Sequence, residues 1–170
     1  MEKRIIKEKA MKFLNNGGFR DTTDTYVDIV MLAKSVGFKV GETTKLSEHE
    51  DGFISISKDK KNLIIGVNNE RSFEEKRFIV AHELAHYFLH YIDTDLNETI
   101  MHRENIKGKN EEENDADFMA ACLLMPNSAF KREYNALASK KLDTYTIIDQ
   151  LQKIFKTPIE SIERYIKEVC

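Results

Sequence analysis

The sequence contains few of the residues that interrupt or cross-link a chain. Its 170 residues include two cysteines, two prolines, seven glycines and no tryptophan. Cys122 lies in an apolar helical stretch and the other cysteine is Cys170, which is not the cysteine framework of a small secreted domain. Because glycine and proline are the usual breaks in regular structure, their scarcity predicts long elements, most of them helices.

The chain also lacks an excess of one charge and a long apolar run. Lys and Arg number 26 against 29 Asp and Glu, a formal net charge of −3. This balance is not the strongly basic composition of a dedicated nucleic-acid binder, so we expect no direct nucleic-acid binding. No apolar run approaches the ~20 residues of a membrane helix, and the first residues lack the apolar core of a signal peptide. We therefore expect a cytoplasmic protein with no membrane partner.

Hydrophobic periodicity predicts two helices and a small sheet in the first part of the chain. Apolar residues recur at helical spacing over about 2–15 and 26–36, and glycines follow both segments. Residues 38–40, 52–57 and 62–67 have the short apolar or alternating patterns of strands, the last two as a hairpin. The segment 62–67 either presents an edge to an extended substrate or lies inside the sheet.

The rest of the chain is predicted to be mainly helical. Ser72 and Glu75 match a capping box that opens a long helix ending near Tyr91. The stretch 92–110, of roughly 20 residues, is interpreted as a loop, which is uncommon in a compact domain and often functional. A helix from about 111 to 124 ends before Pro126, and two or three further helices follow.

The long helix carries His82, Glu83 and His86 in the pattern His-Glu-x-x-His. At ~100° per residue, the two histidines lie ~40° apart around the helix and ~6 Å apart along it, so both rings can bind one ion. Glu83 is at the edge of the same face, where it can act as general base on a metal-bound water. The pattern suits zinc, which accepts imidazole and carboxylate ligands and keeps one position open for water; manganese is the alternative metal.

The acidic start of the helix at 111–124 offers the missing protein ligand. Glu113 and Asp117 are four residues apart and share a helix face. We expect Glu113 to bind the ion and Asp117 to hold the outer nitrogen of a ligating histidine. Glu112 and Asp115 remain the alternatives, and the helix dipole by itself also favours acids at this position.

Other polar residues near the motif are candidates for substrate contact, and His102, in the long loop, is a candidate either for substrate contact or for metal binding, or has neither role. His90 lies ~12 Å along the helix from His82, too far to share one tetrahedral centre, and is expected to pack or cap. A hydrogen-bond donor would stabilise the tetrahedral intermediate of peptide hydrolysis. The candidates for that donor are Tyr87, His102 and Arg103, together with Tyr91 and Tyr134.

Taken together, these stretches resemble the ImmA/IrrE-type metallo-endopeptidases, of the gluzincin branch of zinc peptidases. The similarity runs in order through residues 27–33, 52–55, 77–90 and 116–126. Ala85 and Met119 stand where many members have glycine and phenylalanine. The resemblance implies a zinc endopeptidase that cleaves a specific partner protein, a helix-turn-helix transcriptional repressor of a mobile element or stress regulon.

The sequence therefore predicts one α+β domain with a small three-stranded sheet, a zinc-binding helix pair and a helical C-terminal segment. We expect residues 1–126 to form the metallopeptidase core and residues 127–170 to pack on it. The last two helices resemble half of a helix-turn-helix. However, the last helix offers Arg164 and Lys167 against three glutamates, so packing or partner binding is favoured over DNA binding.

Two other functions fit the same residues. In the first, the protein is a non-enzymatic regulator whose site holds a structural or sensory metal. Structural zinc sites are usually closed by four protein ligands, and Cys122 is about two and a half turns from Glu113, which disfavours it as the fourth. In the second, the protein is a protease-like toxin of a toxin–antitoxin pair.

Overall fold

A computed structural model describes residues 1–20, 22–105 and 111–169, with the backbone alone for residues 102–105. Seven α-helices and four strands lie within this part of the chain. The helices are α1 Lys3–Asn16, α2 Ile29–Val36, α3 Phe73–His86, α4 Glu111–Leu124, α5 Asn127–Ala138, α6 Thr144–Phe155 and α7 Ile159–Val169. The strands are β1 Phe38–Thr43, β2 Glu50–Ile56, β3 Leu63–Asn68 and β4 Ile100–Asn105. No helix among the described residues has both the length and the apolar character needed to cross a membrane.

The predicted α+β class is confirmed, but the sheet has four strands and not three. The extra strand, β4, lies in the segment 92–110 that the sequence predicted to be a loop. β4 pairs with β2 and lies at the end of the sheet, and Met101 within it is 61% exposed. The strand reads Ile-Met-His-Arg-Glu-Asn, two apolar residues followed by four polar ones, so it lacks the alternation by which periodicity reveals a strand.

The strand order is β1-β3-β2-β4. The hairpin predicted from the sequence is confirmed, because β2 and β3 are antiparallel with Ile54 opposite Ile65. β1 joins β3 in parallel and β4 joins β2 antiparallel. Of the two alternatives for the segment 62–67, the interior position is therefore correct, and β1 and β4 form the edges of the sheet.

α3 packs closely on one face of the sheet. Ile54, Ile65 and Leu84 are fully buried in the core that the sheet and α3 share. At Gly52 of β2, an added Cβ would lie 2.4 Å from Ile79 Cγ2 of α3 and 2.9 Å from the neighbouring backbone oxygen of Gly66. Only glycine permits this approach, which fixes the depth of α3 against the sheet.

The ends of two helices show how local hydrogen bonds set boundaries. The capping box of α3 is confirmed: Ser72 Oγ accepts from the amide of Glu75, and the Glu75 carboxylate accepts from the amide of Ser72. α2 begins at Ile29 and not near residue 26. Asp28 caps it by accepting from the amide of Met31 at 3.0 Å, while the Val27 carbonyl accepts from buried Arg77 at 2.9 Å.

The C-terminal helices pack through aromatic side chains. Phe130 of α5 lies 5.4 Å from Phe155 of α6 and 5.0 Å from Tyr165 of α7, measured between ring centres. The hydroxyl of Tyr165 also contacts Cys122 Sγ of α4 at 3.7 Å. These contacts bring α7 against the helix that carries the acidic residues of the candidate site.

Candidate metal centre

The packing of α3 against α4 brings together the three side chains that the sequence singled out as metal ligands. His82 Nε2 lies 2.9 Å from His86 Nε2 and 3.2 Å from Glu113 Oε2. His86 Nε2 lies 3.5 Å from the same glutamate oxygen. Both histidines are buried and Glu113 is half-buried, so one carboxylate and two imidazoles meet at the edge of the core.

This group fits a divalent cation. Bonds of about 2.0–2.2 Å at tetrahedral angles would separate the ligand atoms by roughly 3.3–3.6 Å, close to the separations that the structure has. Each side chain offers one ligand atom, and these atoms all lie within 4.8 Å of one another. Three protein ligands are typical of catalytic zinc sites, whereas structural sites use four. Among the described residues, no fourth His, Cys, Asp or Glu joins the group.

Asp117 holds the outer nitrogen of His82. Its Oδ1 lies 3.0 Å from His82 Nδ1 and its Oδ2 accepts from Arg164 Nη1 at 2.9 Å. Burial alone would raise the pKa of the Asp117 carboxyl, but the hydrogen bonds and charges of His82 and Arg164 outweigh it and hold that pKa below its usual value. An ionised carboxylate only accepts, so His82 carries its proton on Nδ1 and turns the lone pair of Nε2 towards Glu113.

The alternative acids of α4 lie elsewhere. Asp115 Oδ2 accepts from the amino group of Met1 at 2.7 Å, and Glu112 is exposed. Neither belongs to the group of ligand atoms. The structure thus brings Glu113 and Asp117, and not these two, beside the histidines.

Glu83 is fully buried on α3, between the two histidines along the chain. A Cβ built on Gly52 would lie 3.7 Å from Glu83 Oε1, so the glycine of β2 borders the carboxylate. The same glycine that lets α3 approach the sheet therefore leaves room beside Glu83.

The predicted substrate contacts have different outcomes. Tyr87 is only 7% exposed and packs edge-on against Phe38 in the core, with 5.1 Å between ring centres. Burial, and then the charge of Asp93, raises the pKa of the Tyr87 hydroxyl. The structure therefore assigns Tyr87 to the core. The backbones of His102 and Arg103 lie in β4 opposite Ile54 and Phe53, but their side chains lie outside the described residues.

Neither Tyr134 nor His90 is part of the candidate metal centre. Tyr134 stacks on Phe130 within α5, with 6.5 Å between ring centres. His90, which we expected to pack and not to bind metal, has its ring 5.9 Å from that of His86. It does not belong to the group of ligand atoms.

Sequence reasoning missed the π-helical turn that continues α3 over Tyr87–Tyr91. Its wide turn is closed by the Ile92 amide, which donates to the Tyr87 carbonyl at 2.9 Å. Lys60 Nζ caps the end by donating to the carbonyls of Tyr91 and Ile92 at 2.7 and 3.0 Å. An α-helical register would direct Tyr91 about 180° from His82, whereas the wider turn rotates it to roughly 90°, the side of Glu83.

The electrostatics of Tyr91 agree with this rotation. Burial raises the pKa of its hydroxyl, and the charges of Glu112, Glu83 and Glu113 raise it further. The hydroxyl therefore stays protonated and lies within electrostatic reach of two carboxylates of the site. The π turn ends this helix, and its position is not evident from the sequence.

Comparison with known proteins agrees with the residue pattern. Residues 33–167 match the peptidase family described as the IrrE N-terminal-like domain. A Mycobacterium tuberculosis transcriptional regulator has a similar structure, with a TM-score of 0.55 and 16% sequence identity over 92% of this chain and 45% of that one. The chain thus spans less than half of that protein, and the likeness shows the fold alone. A search of the curated proteins found no match. Since the family match covers most of the chain, the protein belongs to the IrrE N-terminal-like family, and it is an ImmA/IrrE-type metallopeptidase-like domain.

Proposed function

We propose that this protein is a metal-dependent endopeptidase that cleaves a specific protein partner. The observation that carries the proposal is the convergence of His82, His86 and Glu113 beside buried Glu83 in a member of a peptidase family. A buried carboxylate next to a three-ligand cation site is the arrangement that metal-assisted hydrolysis requires.

The residues have distinct roles in the proposed reaction. A divalent cation, zinc or manganese, would polarise the scissile carbonyl and the attacking water. Glu83 takes a proton from that water and passes it to the leaving amine. Asp117 keeps His82 in the tautomer that ligates, and Tyr91 donates a hydrogen bond to the oxygen that becomes negative in the tetrahedral intermediate.

The substrate is an extended segment that adds a strand to the sheet at β4. β4 lies at one end of the strand order, and an edge strand offers backbone groups to which a peptide can bind. Its neighbour β2 carries Gly52, which borders Glu83. A strand added there would be separated from β2 by β4 alone, and its backbone would supply most of the binding.

The partner that we propose is a DNA-binding repressor of the helix-turn-helix class, cleaved in the cytoplasm. The family resemblance supports it, and the similar structure from Mycobacterium tuberculosis is itself named a transcriptional regulator. We retain as part of the proposal the division into a metallopeptidase core, residues 1–126, and a C-terminal helical segment, residues 127–170. The core would do the chemistry, and the segment would pack on it.

The experiment is incubation of the purified chain, loaded with zinc or manganese, with the repressors encoded beside its gene, followed by mass spectrometry of the fragments. We expect one repressor to be cut at a defined bond. The matched control is Glu83→Gln, which keeps shape and hydrogen-bonding capacity but cannot act as base. It should bind metal as the wild type does and lose about 10²–10⁴-fold in cleavage rate.

Two results would contradict the proposal. Glu83→Gln cutting at the wild-type rate would rule out the role of that carboxylate. A wild-type chain that binds metal but cuts no partner would instead support the non-enzymatic regulator. If the cleaved protein were not a repressor, the chemistry would hold and the assignment of the partner would be wrong.

A further inference from the structure

We propose that Arg164 of α7 is a positioning residue of the metal centre. It acts through Asp117 on His82, so that the docking of α7 helps to set the affinity for metal. This inference rests on the metal ligands of the proposed function. It gives the C-terminal helix a role in the site that is separate from binding DNA or a partner.

A continuous chain of contacts connects α7 to the ligand atoms. Arg164 Nη1 donates to Asp117 Oδ2 at 2.9 Å, and Asp117 Oδ1 lies 3.0 Å from His82 Nδ1. His82 Nε2 is then 3.2 Å from Glu113 Oε2. Because each carboxylate oxygen of Asp117 has a different partner, rotation of the carboxylate breaks one contact or the other. Arg164 therefore fixes the plane in which Asp117 meets the imidazole.

The neighbouring charged residues favour an ion pair between Arg164 and Asp117 over a pair between Arg164 and another acidic residue. Glu168 lies four residues after Arg164 on α7, the spacing at which charged side chains on a helix pair. Lys3 of α1 forms an ion pair with Glu168 instead. All four charged side chains line one cavity of about 290 Å³. The two basic and two acidic side chains thus form two ion pairs, and the pair of Arg164 with Asp117 extends to the metal centre.

The exposure of the Arg164–Asp117 pair indicates which property should change when the pair is lost, the folding stability or the affinity for metal. The Arg164 side chain is 53% exposed and that of Asp117 is 20% exposed. An exposed ion pair contributes little to folding stability because water and salt screen it. Metal affinity is more sensitive than folding stability to the loss of such a pair, because it depends on the orientation of the ligating histidine. Loss of the outer partner of that histidine costs about 10–100-fold in metal affinity. Loss of Arg164 should therefore affect metal binding far more than folding.

Thermodynamic linkage makes the effect reciprocal. If docking of α7 strengthens metal binding, metal binding must strengthen the docking of α7 by the same factor. Amide hydrogens of α7 should then exchange more slowly when zinc is bound. This slowing of exchange should be smaller in Arg164→Ala than in the wild type. If Arg164 had only a structural role, the substitution would leave the slowing unchanged.

The test compares metal dissociation constants, measured by competition with a chromophoric chelator. Arg164→Ala should weaken zinc binding about threefold to tenfold, less than the ~10–100-fold of a direct partner, and Arg164→Lys should recover part of the loss. The matched control is Lys167→Ala, which removes the same charge from an exposed position of the same helix and should change affinity less than twofold. In an Asp117→Asn background, Arg164→Ala should cause no further loss.

Two outcomes would overturn the inference: wild-type affinity in Arg164→Ala, or an equal additional loss in the Asp117→Asn background. The visible spectrum of the cobalt-substituted protein supplies a second readout, which should shift in Arg164→Ala and not in Lys167→Ala. The assay uses metal without a substrate. A wild-type chain that binds metal and cuts no protein partner would therefore overturn the proposed function and leave this inference standing.

Discussion

α3 and α4 supply groups to the same metal centre in different ways. α3 places His82 and His86 together because residues four apart on a helix are neighbours. α4 places Glu113 beside them only because the two helices pack against each other. The contribution of α3 therefore depends on local spacing, whereas that of α4 depends on the packing of the whole core.

Both helices carry buried short side chains close in sequence to the residues of the site. Ala81 and Ala85 of α3 and Ala116 and Ala120 of α4 are fully buried beside the residues of the site. Short side chains allow helix backbones to approach, which brings a carboxylate of one helix within reach of an imidazole of the other. A centre built across two helices is therefore as sensitive to packing as to the identity of its ligands.

Single substitutions of a metal ligand, one on α3 and one on α4, should give the largest effect, which is a loss of metal binding. His82→Ala should reduce the metal content to background, because it removes a ligand and the link to Asp117 at once. Glu113→Ala should weaken binding less, since the two histidines keep their spacing on α3. Elemental analysis and chelator competition measure both, with exposed Glu112→Ala as the control that keeps metal. Unchanged zinc in His82→Ala would refute the ligand set.

The contrast between local spacing on α3 and core packing of α4 also explains what could be predicted from the sequence. The capping box of α3, the β2–β3 hairpin and the metal-binding face of α3 follow from residues close together in the chain, and so they were readable as patterns. Glu113 could be proposed because it shares a face with Asp117, but the sequence left Glu112 and Asp115 open. Only the packing of α4 on α3 separates these acids.

Three features lay beyond sequence patterns for identifiable reasons. β4 has two apolar residues followed by four polar ones and so shows no alternating pattern. The π turn changes the register of Tyr91 through one added residue in a turn, which no residue type signals. Arg164 is 47 residues from Asp117, so its contact depends on how α7 folds back. Each feature is decided by tertiary packing or by a local irregularity of the backbone.

Tyr91 tests whether the π turn matters to chemistry. Tyr91→Phe removes a hydroxyl whose pKa is raised by burial and then by the charges of Glu112, Glu83 and Glu113. Loss of a donor to a developing oxyanion costs about 10²–10³-fold in kcat. Because Tyr91 as a whole is only half-buried, we expect a loss near the lower end of that range, with zinc affinity unchanged. Steady-state cleavage of the partner measures it. The control is Tyr134→Phe on α5, which should cut at the wild-type rate; equal rates for both variants would exclude Tyr91.

Gly52 tests whether the sheet sets the position of α3, and its effect should be the smallest. In Gly52→Ala the new methyl group meets Ile79 Cγ2 at 2.4 Å and the Gly66 carbonyl at 2.9 Å, so α3 must move away from β2. Overpacking of this kind typically costs about 1–3 kcal/mol of unfolding free energy, and the shift should also separate Glu83 from the substrate. The matched control is Gly41→Ala on β1, where an added Cβ meets nothing within 4 Å. Denaturant unfolding of both variants measures the difference, and equal stabilities would mean that α3 is positioned by its contact with α4 alone.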